Sequence, residues 1–367
     1  MLRPVVIAAG GTGVHLFPAE ALAAELLARG QRIVLMTDAR SGGLQSSVFA
    51  GRESFVLPGM GVFGRGPLHA ARALAVIAGG ALKARAILAG LDASVLVGFG
   101  GYPCVAPVLG ARLLRRRPHL VLHEQNAVLG RANRLLARLV DTVALSHPAT
   151  IRVPGTARSV VSGNPVRAPI AALAGQGYRR PHEAIRLLVL GGSLGARVFS
   201  DVLPATLSRI APQHRARIEV VQQCRPEDLE RVRTAYAAAG IRAELSSFFA
   251  DMAGHLAAAH LVISRAGATT VAELAVAGRP AIFVPLPIAI DDDQTLNART
   301  LVSVGGALLM PQPGFTPDAL AATLDGLFAD PARLAGMAEG AASQGHADAA
   351  TRLADLVESF IQQEQPA

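Results

Sequence analysis

Two stretches of this chain carry the same pattern. "VVIAAGGTGVH" (residues 5–15) and "LLVLGGSLGAR" (187–197) each run from an apolar strand into a Gly-Gly pair. Each continues through a hydroxyl residue (Thr12, Ser193) and a further glycine (Gly13, Gly195) into a helical pattern. Around them, apolar runs alternate with helical patterns along the whole length. Strands are expected at 5–9, 33–37, 95–98, 120–123 and 142–145, then at 187–190, 218–222, 261–264 and 281–285. A Pro/Gly-rich stretch at 153–165 separates the two series. Alternation of this kind demands parallel sheets with helices on both faces. The expected fold class is therefore α/β, two Rossmann-like doubly wound parallel-sheet domains. Ligands of such sheets gather at the C-terminal ends of the strands. Two such domains facing one another would leave a cleft.

Composition narrows the partners. Hydrophobic residues make up 51% of the 367 and charged residues 17%, ample for two cores and unlike a disordered chain. Aromatics reach only 4% and Trp is absent, which argues against a base-stacking platform, so no nucleic acid is expected. The net charge of +8 is uneven: residues 1–163 hold 18 Lys/Arg against 7 Asp/Glu, residues 164–367 hold 17 against 20. A basic first half suits phosphates or a lipid surface, although an Arg-rich composition with Lys83 as the sole lysine gives the same balance. Cys104 and Cys224 lie far apart, with no metal or disulfide spacing, which fits a reducing cytoplasm. The opening Met-Leu-Arg-Pro lacks the features of a signal peptide, and Lys83 and Arg85 interrupt the apolar stretch 73–91. A soluble or peripheral protein is expected.

The first loop falls between two nucleotide signatures. A dinucleotide fingerprint needs G-x-G-x-x-G; Gly11 and Gly13 fit, but Leu16 stands third. Asp38 closes the second strand, where a ribose-binding carboxylate would sit, so an NAD-dependent oxidoreductase is weakened and not excluded. A Walker loop needs a lysine that is missing here. Glycines still let backbone N–H groups approach an anion, and a helix N-terminus adds about half a positive charge. Both loops thus qualify as diphosphate cradles, or as plain tight turns. His15 opens the first helix. The positive helix end favours its neutral form, which could serve as a general base or merely hydrogen-bond the loop.

Other polar clusters fall at strand ends. "LHEQN" (122–126) is poor core material and good site material. "GNPVR" (163–167) offers Arg167 as a diphosphate partner or a solvated charge. In "SRAGATTVAELAVAGRP" (264–280) a strand ends, Gly267 turns the chain and Glu273 follows in the first turns of a helix, where a carboxylate can accept from both ribose hydroxyls. "DDDQTLNA" (291–298) holds three consecutive acids. With no His or further carboxylate nearby in sequence, they read as a helix N-cap and not a metal site.

In order and spacing these segments resemble the MurG family of GT-B glycosyltransferases (family 28). The resemblance runs nearly end to end and adds "GFGGYPCVAP" (98–107). It implies an inverting enzyme of peptidoglycan synthesis, serving cell wall, shape and division. GlcNAc would pass from UDP-GlcNAc to the C4 hydroxyl of MurNAc in lipid I, giving lipid II, with no cofactor or metal. Residues 1–163 would form the acceptor and membrane-facing domain, with a C-terminal helix at 347–363 packing back on it. Residues 164–346 would bind UDP-GlcNAc. Carried over, Arg167 and Ser193 lie near the diphosphate or sugar, and Phe249 meets the uracil through its backbone. Ala268, Thr269, Thr270 and Val271 form the helix start against the nucleotide, Glu273 takes the ribose hydroxyls and Gln294 contacts the GlcNAc. Thr12, Gly13, Val14 and Asn126 line the cleft near the donor sugar. His15 and Glu124 are the catalytic candidates, with His15 preferred as base.

Two positions depart from the pattern: Val14 replaces a usual glycine, and Asp293 stands where His or Gln is usual. The implied place is peripheral, on the cytoplasmic face of the inner membrane. Its partners there are UDP-GlcNAc, lipid I, an anionic membrane surface and other cell-wall synthesis proteins. Basic and apolar residues mix at 64–90 and in "RLLRRRPH" (112–119), as a membrane patch or an ordinary solvated face would require. Another UDP-sugar GT-B transferase or a UDP-GlcNAc epimerase would share the donor. A non-catalytic nucleotide-sugar binding module would need neither His15 nor the HEQN cluster.

Overall fold

The computed structural model describes residues 3–10, 13–38, 46–58, 67–192, 195–288 and 290–363. Thr12 and Ser193 lie outside the described residues. The chain divides into two compact units, Met1–Arg167 with Asp348–Ala367, and Ala168–Ala347.

In the first unit the order is β1 (Val5–Ala8), α1 (Gly13–Ala28), β2 (Ile33–Asp38), β3 (Ser54–Leu57), α2 (Pro67–Leu91), β4 (Val95–Gly98) and α3 (Val105–Arg112). Then come β5 (His119–Glu124), α4 (Arg131–Leu136), β6 (Thr142–Leu145) and β7 (Ser159–Val161). The sheet runs β3-β2-β1-β4-β5-β6-β7, and every pairing is parallel.

The second unit holds α5 (Ala168–Ala171), β8 (Ile185–Leu190), α6 (Arg197–Arg209), α7 (Pro212–Arg215), β9 (Ile218–Gln223), α8 (Leu229–Ala238) and β10 (Arg242–Ser246). It continues with α9 (Met252–Ala258), β11 (Leu261–Ser264), α10 (Ala268–Ala277), β12 (Ala281–Phe283) and α11 (Asp293–Val302). β13 (Ala307–Leu309), α12 (Pro317–Phe328) and α13 (Pro331–Ala342) complete it. Its sheet, β10-β9-β8-β11-β12-β13, is also wholly parallel. The last helix, α14 (Ala349–Gln363), returns to the first unit.

Four strands exceed the nine expected: β3, β7, β10 and β13. They are the four sheet edges. The central strands β1, β4, β6 and β11 are buried at every residue, and their sequences are apolar apart from Thr142 and Ser264. An edge strand has one neighbour and a wetter face. Arg242–Ser246 and Ser159–Val161 are largely exposed and carry no such run. β7 even lies inside the Pro/Gly-rich stretch that separates the two series.

α14 is a structural part of the first unit. Its Leu353, Ala354, Val357 and Phe360 share a buried cluster with Leu16, Ala19, Leu22 and Leu26 of α1. At the rim Arg29 donates to Asp355 and Glu358 at 2.6 and 2.8 Å, and the Phe360 ring stacks on His119 at 3.5 Å. α2 and α3 approach closely because residue 110 is glycine: a Cβ there would lie 2.5 Å from the Ala81 carbonyl oxygen. In the second unit Leu187, Val189 and Ile263 of the sheet pack with Phe199 and Leu203 of α6 and Leu324 and Leu327 of α12.

Each sheet reverses direction once. The first does so between β1 and β4, the second between β8 and β11. At such a switch point the loops leaving the two strands turn opposite ways and open a crevice at their C-terminal ends. The topology therefore selects the loops after β1 and β4 in one unit and after β8 and β11 in the other.

Candidate active-site residues on each sheet

In the first unit, buried Gly13 begins α1 and His15 falls in its first turn. The His15 Nδ1 lies 3.3 Å from Gln125 Oε1. The loop after β4 comes up on the other side. Gly101 has φ 70°, and a Cβ there would stand 3.2 Å from His15 Nε2. Glycine is needed both for the backbone and for the space beside the ring. Cys104 ties the two switch-point strands. Its Sγ lies 3.1 Å from the Gly100 N–H, and its thiol can donate to the Ala8 carbonyl at 3.1 Å. Burial pushes that thiol up to about 12, so it stays protonated.

The HEQN segment ends β5 and is buried through Gln125. Glu124, expected among the catalytic candidates, is engaged by its own loop. It is 1% exposed and its oxygens accept four hydrogen bonds. Oε1 takes the Asn126 backbone N–H and side-chain amide, both at 3.0 Å; Oε2 takes the Gly130 N–H and the Asn133 side chain, both at 2.8 Å. A carboxylate occupied in this way orders the 126–133 loop. It also fixes Asn126, and is poorly disposed to take a substrate proton. Val14 is half-buried in the first turn of α1. Arg167 lies with the first unit, its guanidinium 4.4 Å from the centroid of the Phe17 ring. Burial raises the nearby Glu20 carboxyl, with a Ser46 hydrogen bond and the Arg167 charge acting against it.

In the second unit the loop after β8 is held tightly. The Gly191 N–H donates to Gln223 Oε1 at 3.2 Å, and the Gly195 N–H to the Gly192 carbonyl at 3.0 Å. A Cβ at 191 would fall 2.3 Å from the Ala196 nitrogen, so only glycine closes this turn. After β11, Gly267 leads in extended conformation into α10. Ala268, Thr269, Val271 and Glu273 are buried and Thr270 is half-buried. Thr269 and Glu273, four apart, share one face of the helix. Asn297 braces the approach, donating to the Ala266 carbonyl at 3.2 Å. Arg265 spans the neighbouring loops, donating to the Val284 and Pro285 carbonyls at 2.9 Å and to Gln312 Oε1 at 2.7 Å.

Phe249 is buried with its ring edge-on to His255 at 4.7 Å, while Phe248 beside it is 68% exposed. Gln294 accepts the Leu286 N–H through Oε1 at 3.0 Å, fixing which side of its amide turns to the loop. The acidic run starts α11, with Asp293 in its first turn, but without the capping bond. Asp292 occupies the cap position in left-handed backbone (φ 54°), and its side chain takes no helix N–H. Asp293 Oδ1 instead accepts the Gln294 N–H at 2.9 Å. At the NAD-type position, Asp38 ends β2 and is 3% exposed.

Gln125, Arg265 and Asn297 fall within the sequence motifs but were given no role of their own, and Asn133 lies outside those motifs. The signal for Gln125 was its polarity at the end of an apolar strand. The other three brace loops through contacts distant in sequence, which no local pattern announces.

Two doubly wound parallel-sheet units, each with a switch point, are the GT-B architecture of many glycosyltransferases. Residues 5–145 match the glycosyltransferase family 28 N-terminal domain, and residues 186–353 the family 28 C-terminal domain. The chain is 61% identical to the UDP-N-acetylglucosamine–N-acetylmuramyl-(pentapeptide) pyrophosphoryl-undecaprenol N-acetylglucosamine transferase of Granulibacter bethesdensis, over 98% of this chain and 94% of that one. It is 56% identical to the protein of the same name from Acidiphilium cryptum, over 98% of each. Among solved structures, Acinetobacter baumannii MurG superposes with TM-score 0.79 at 29% identity, covering 98% of this chain and all of that one. A UDP-N-acetylglucosamine 2-epimerase, TM-score 0.69 at 13% identity over 100% and 98% of the two chains, shares the fold alone. The chain belongs to the MurG family within glycosyltransferase family 28.

Proposed function

We propose that this chain transfers GlcNAc from UDP-GlcNAc to the C4 hydroxyl of MurNAc in lipid I, with inversion, to form lipid II. The observation that carries the proposal is the 61% identity over 98% of the chain with a relative of that printed activity. The placement of Gly13–His15 and Gly191–Glu273 at the two switch points supports it.

The chemistry divides between the units. In the second, the nucleotide lies against the start of α10. Glu273 accepts from the ribose hydroxyls, the Phe249 backbone meets the uracil and Gln294 meets the sugar. Departure of UDP puts negative charge on the diphosphate. α6, which follows the loop after β8, offers its positive N-terminal end to that charge. In the first unit, His15 takes the proton of the attacking hydroxyl. Gly13, Val14 and Asn126 shape its surroundings, and Glu124 holds Asn126 in place. Arg167, steadied by Phe17, contributes positive charge.

Placement on the cytoplasmic face of the inner membrane follows from the acceptor, a lipid-linked diphosphate. α2 supports it. Residues Ala71–Leu91 are long and apolar enough to cross a membrane by length and composition. Ala73, Ala81, Ala84 and Leu88 nevertheless turn inward, while Leu74 and Leu82 are 59% and 61% exposed beside exposed Arg72, Lys83 and Arg85. A helix half-docked on its own domain, with a mixed apolar and basic outer face, suits a membrane surface.

The test is transfer of radiolabelled GlcNAc from UDP-GlcNAc to a lipid I analogue, with UDP-GlcNAc alone as the hydrolysis control. Labelled lipid II is expected only when both substrates are present. His15→Ala should lower turnover by about two to four orders of magnitude with donor KM nearly unchanged. Near-normal turnover in that variant would remove His15 from the role of base.

A further inference from the structure

We propose that Gln125 sets the tautomer of His15, keeping the proton on Nδ1 so that Nε2 presents the lone pair to the attacking hydroxyl. The inference rests on the assignment of His15 as base and deepens it.

The orientation of the Gln125 amide is fixed by a neighbour that cannot donate. Gln125 is 0% exposed, and its Nε2 lies 3.0 Å from the Phe99 carbonyl oxygen. A carbonyl only accepts, so the nitrogen of the amide must face it. The oxygen is then the atom 3.3 Å from His15 Nδ1. An amide oxygen only accepts, so a neutral imidazole must bring its N–H to Nδ1, which leaves Nε2 unprotonated.

A second histidine locks the same arrangement from behind. Gln125 Nε2 lies 3.1 Å from His123 Nδ1, and His123 Nε2 lies 3.0 Å from the Gly163 carbonyl. The Gly163 carbonyl fixes the His123 proton on Nε2, so its Nδ1 accepts from the amide. A protonated His123 would set Nδ1–H against the amide N–H. Burial pushes the His123 imidazole down to about 4 and keeps it neutral, although its contact with Gly163 works the other way. Donors thus run in one direction, from His15 through Gln125 and His123 to Gly163.

The space beside His15 Nε2 is kept by Gly101, where any Cβ would stand 3.2 Å from that atom. In the transfer step the acceptor oxygen bonds to the anomeric carbon. The bond from that carbon to the diphosphate oxygen breaks, its electron pair leaving with UDP. The hydroxyl proton passes to Nε2. The resulting imidazolium keeps its Nδ1–H on the Gln125 oxygen. Gln125 touches no reacting atom; it is a positioning residue.

Long-range proton–nitrogen correlation spectra of the full chain labelled at histidine nitrogens, with the His15 signals assigned through His15→Ala, read the tautomer without turnover. The wild-type chain at neutral pH should show a protonated Nδ1 and an unprotonated Nε2. Gln125→Met, of similar size, should move the proton toward Nε2 and lower kcat by about tenfold or more with KM for UDP-GlcNAc within about twofold, as loss of a tautomer-setting partner does. A wild-type His15 carrying its proton on Nε2 overturns the proposal, and so does an unchanged tautomer in Gln125→Met whatever its kcat. Should His15→Ala retain turnover, the base assignment falls, while the wild-type spectrum still decides whether Gln125 sets the tautomer.

Discussion

The guanidinium of Arg167 lies over the ring of Phe17, 4.4 Å from its centroid, and so the last residue of the first unit's main segment is stacked on that unit's first helix. The pair joins the GNPVR motif to the helix that carries His15. A planar cation on an aromatic face contributes about 0.5–2 kcal/mol, and an ammonium does not reproduce its geometry. Phe17→Leu and Arg167→Lys should each lower stability by about 0.5–1 kcal/mol in urea unfolding. Both should also reduce kcat. Unimpaired transfer by Arg167→Lys would mean that charge alone suffices at this position.

Glu124 should behave as a scaffold and not as a base. Glu124→Gln places an NH2 where the carboxylate now meets only donors, at a cost of about 1–3 kcal/mol for the buried group left unsatisfied. Hydrogen exchange should quicken across residues 126–133, which its oxygens hold. Any fall in kcat should leave the basic group in the pH–rate profile in place. Disappearance of that group would return Glu124 to the catalytic candidates.

His123 gives a pH signature to folding. Folding lowers its pKa from 6.5 to about 4, chiefly through burial. Between those values the unfolded chain binds a proton that the folded chain does not, so stability rises with pH across the window. The contribution is whole above about pH 6.5 and is lost as pH falls toward 4, amounting to about 3 kcal/mol at most. The His123 ring resonances should stay neutral from pH 8 to about 5 while exposed imidazoles titrate. A midpoint near that of a free histidine would contradict its buried role.

Binding to anionic vesicles should depend on α2. Arg72, Lys83 and Arg85 are exposed, although Lys83 and Arg85 also donate to the Val56 and Leu113 carbonyls at 3.1 and 3.3 Å. Each basic residue near such a surface contributes about 1 kcal/mol, so neutralising all three should weaken flotation by about two orders of magnitude at low salt. Leu74→Ser with Leu82→Ser should weaken it further. Flotation indifferent to both sets would move the membrane contact elsewhere. Arg117 is a poor candidate for that contact, because it is held by both Asp141 oxygens at 2.6 and 2.7 Å.

Much of this fold was legible because parallel sheets write themselves plainly. Strands covered on both faces are mainly apolar, as Val5–Ala8 is throughout and Leu261–Ser264 is up to its last residue. The four edge strands were hidden because a strand with one neighbour carries no such requirement. The acidic run at 291–293 starts α11 as its composition suggests, but its backbone conformation was not legible. The left-handed backbone at Asp291 and Asp292 is a feature that no composition rule reports.

By itself the sequence determined the two glycine-led helix starts, the order of the motifs and the family they define. It did so because tight turns and buried strands restrict residue type locally. Only the tertiary structure decided what each polar side chain near those turns does. Glu124 is saturated by donors from residues 126, 130 and 133, Arg167 is stacked on Phe17, and Gln125 is clamped between the Phe99 carbonyl and two histidines. Whether a buried carboxylate or amide acts on a substrate or on its own loop depends on which donors and acceptors surround it. Most of those partners come from other strands and loops, brought together only when the sheet forms.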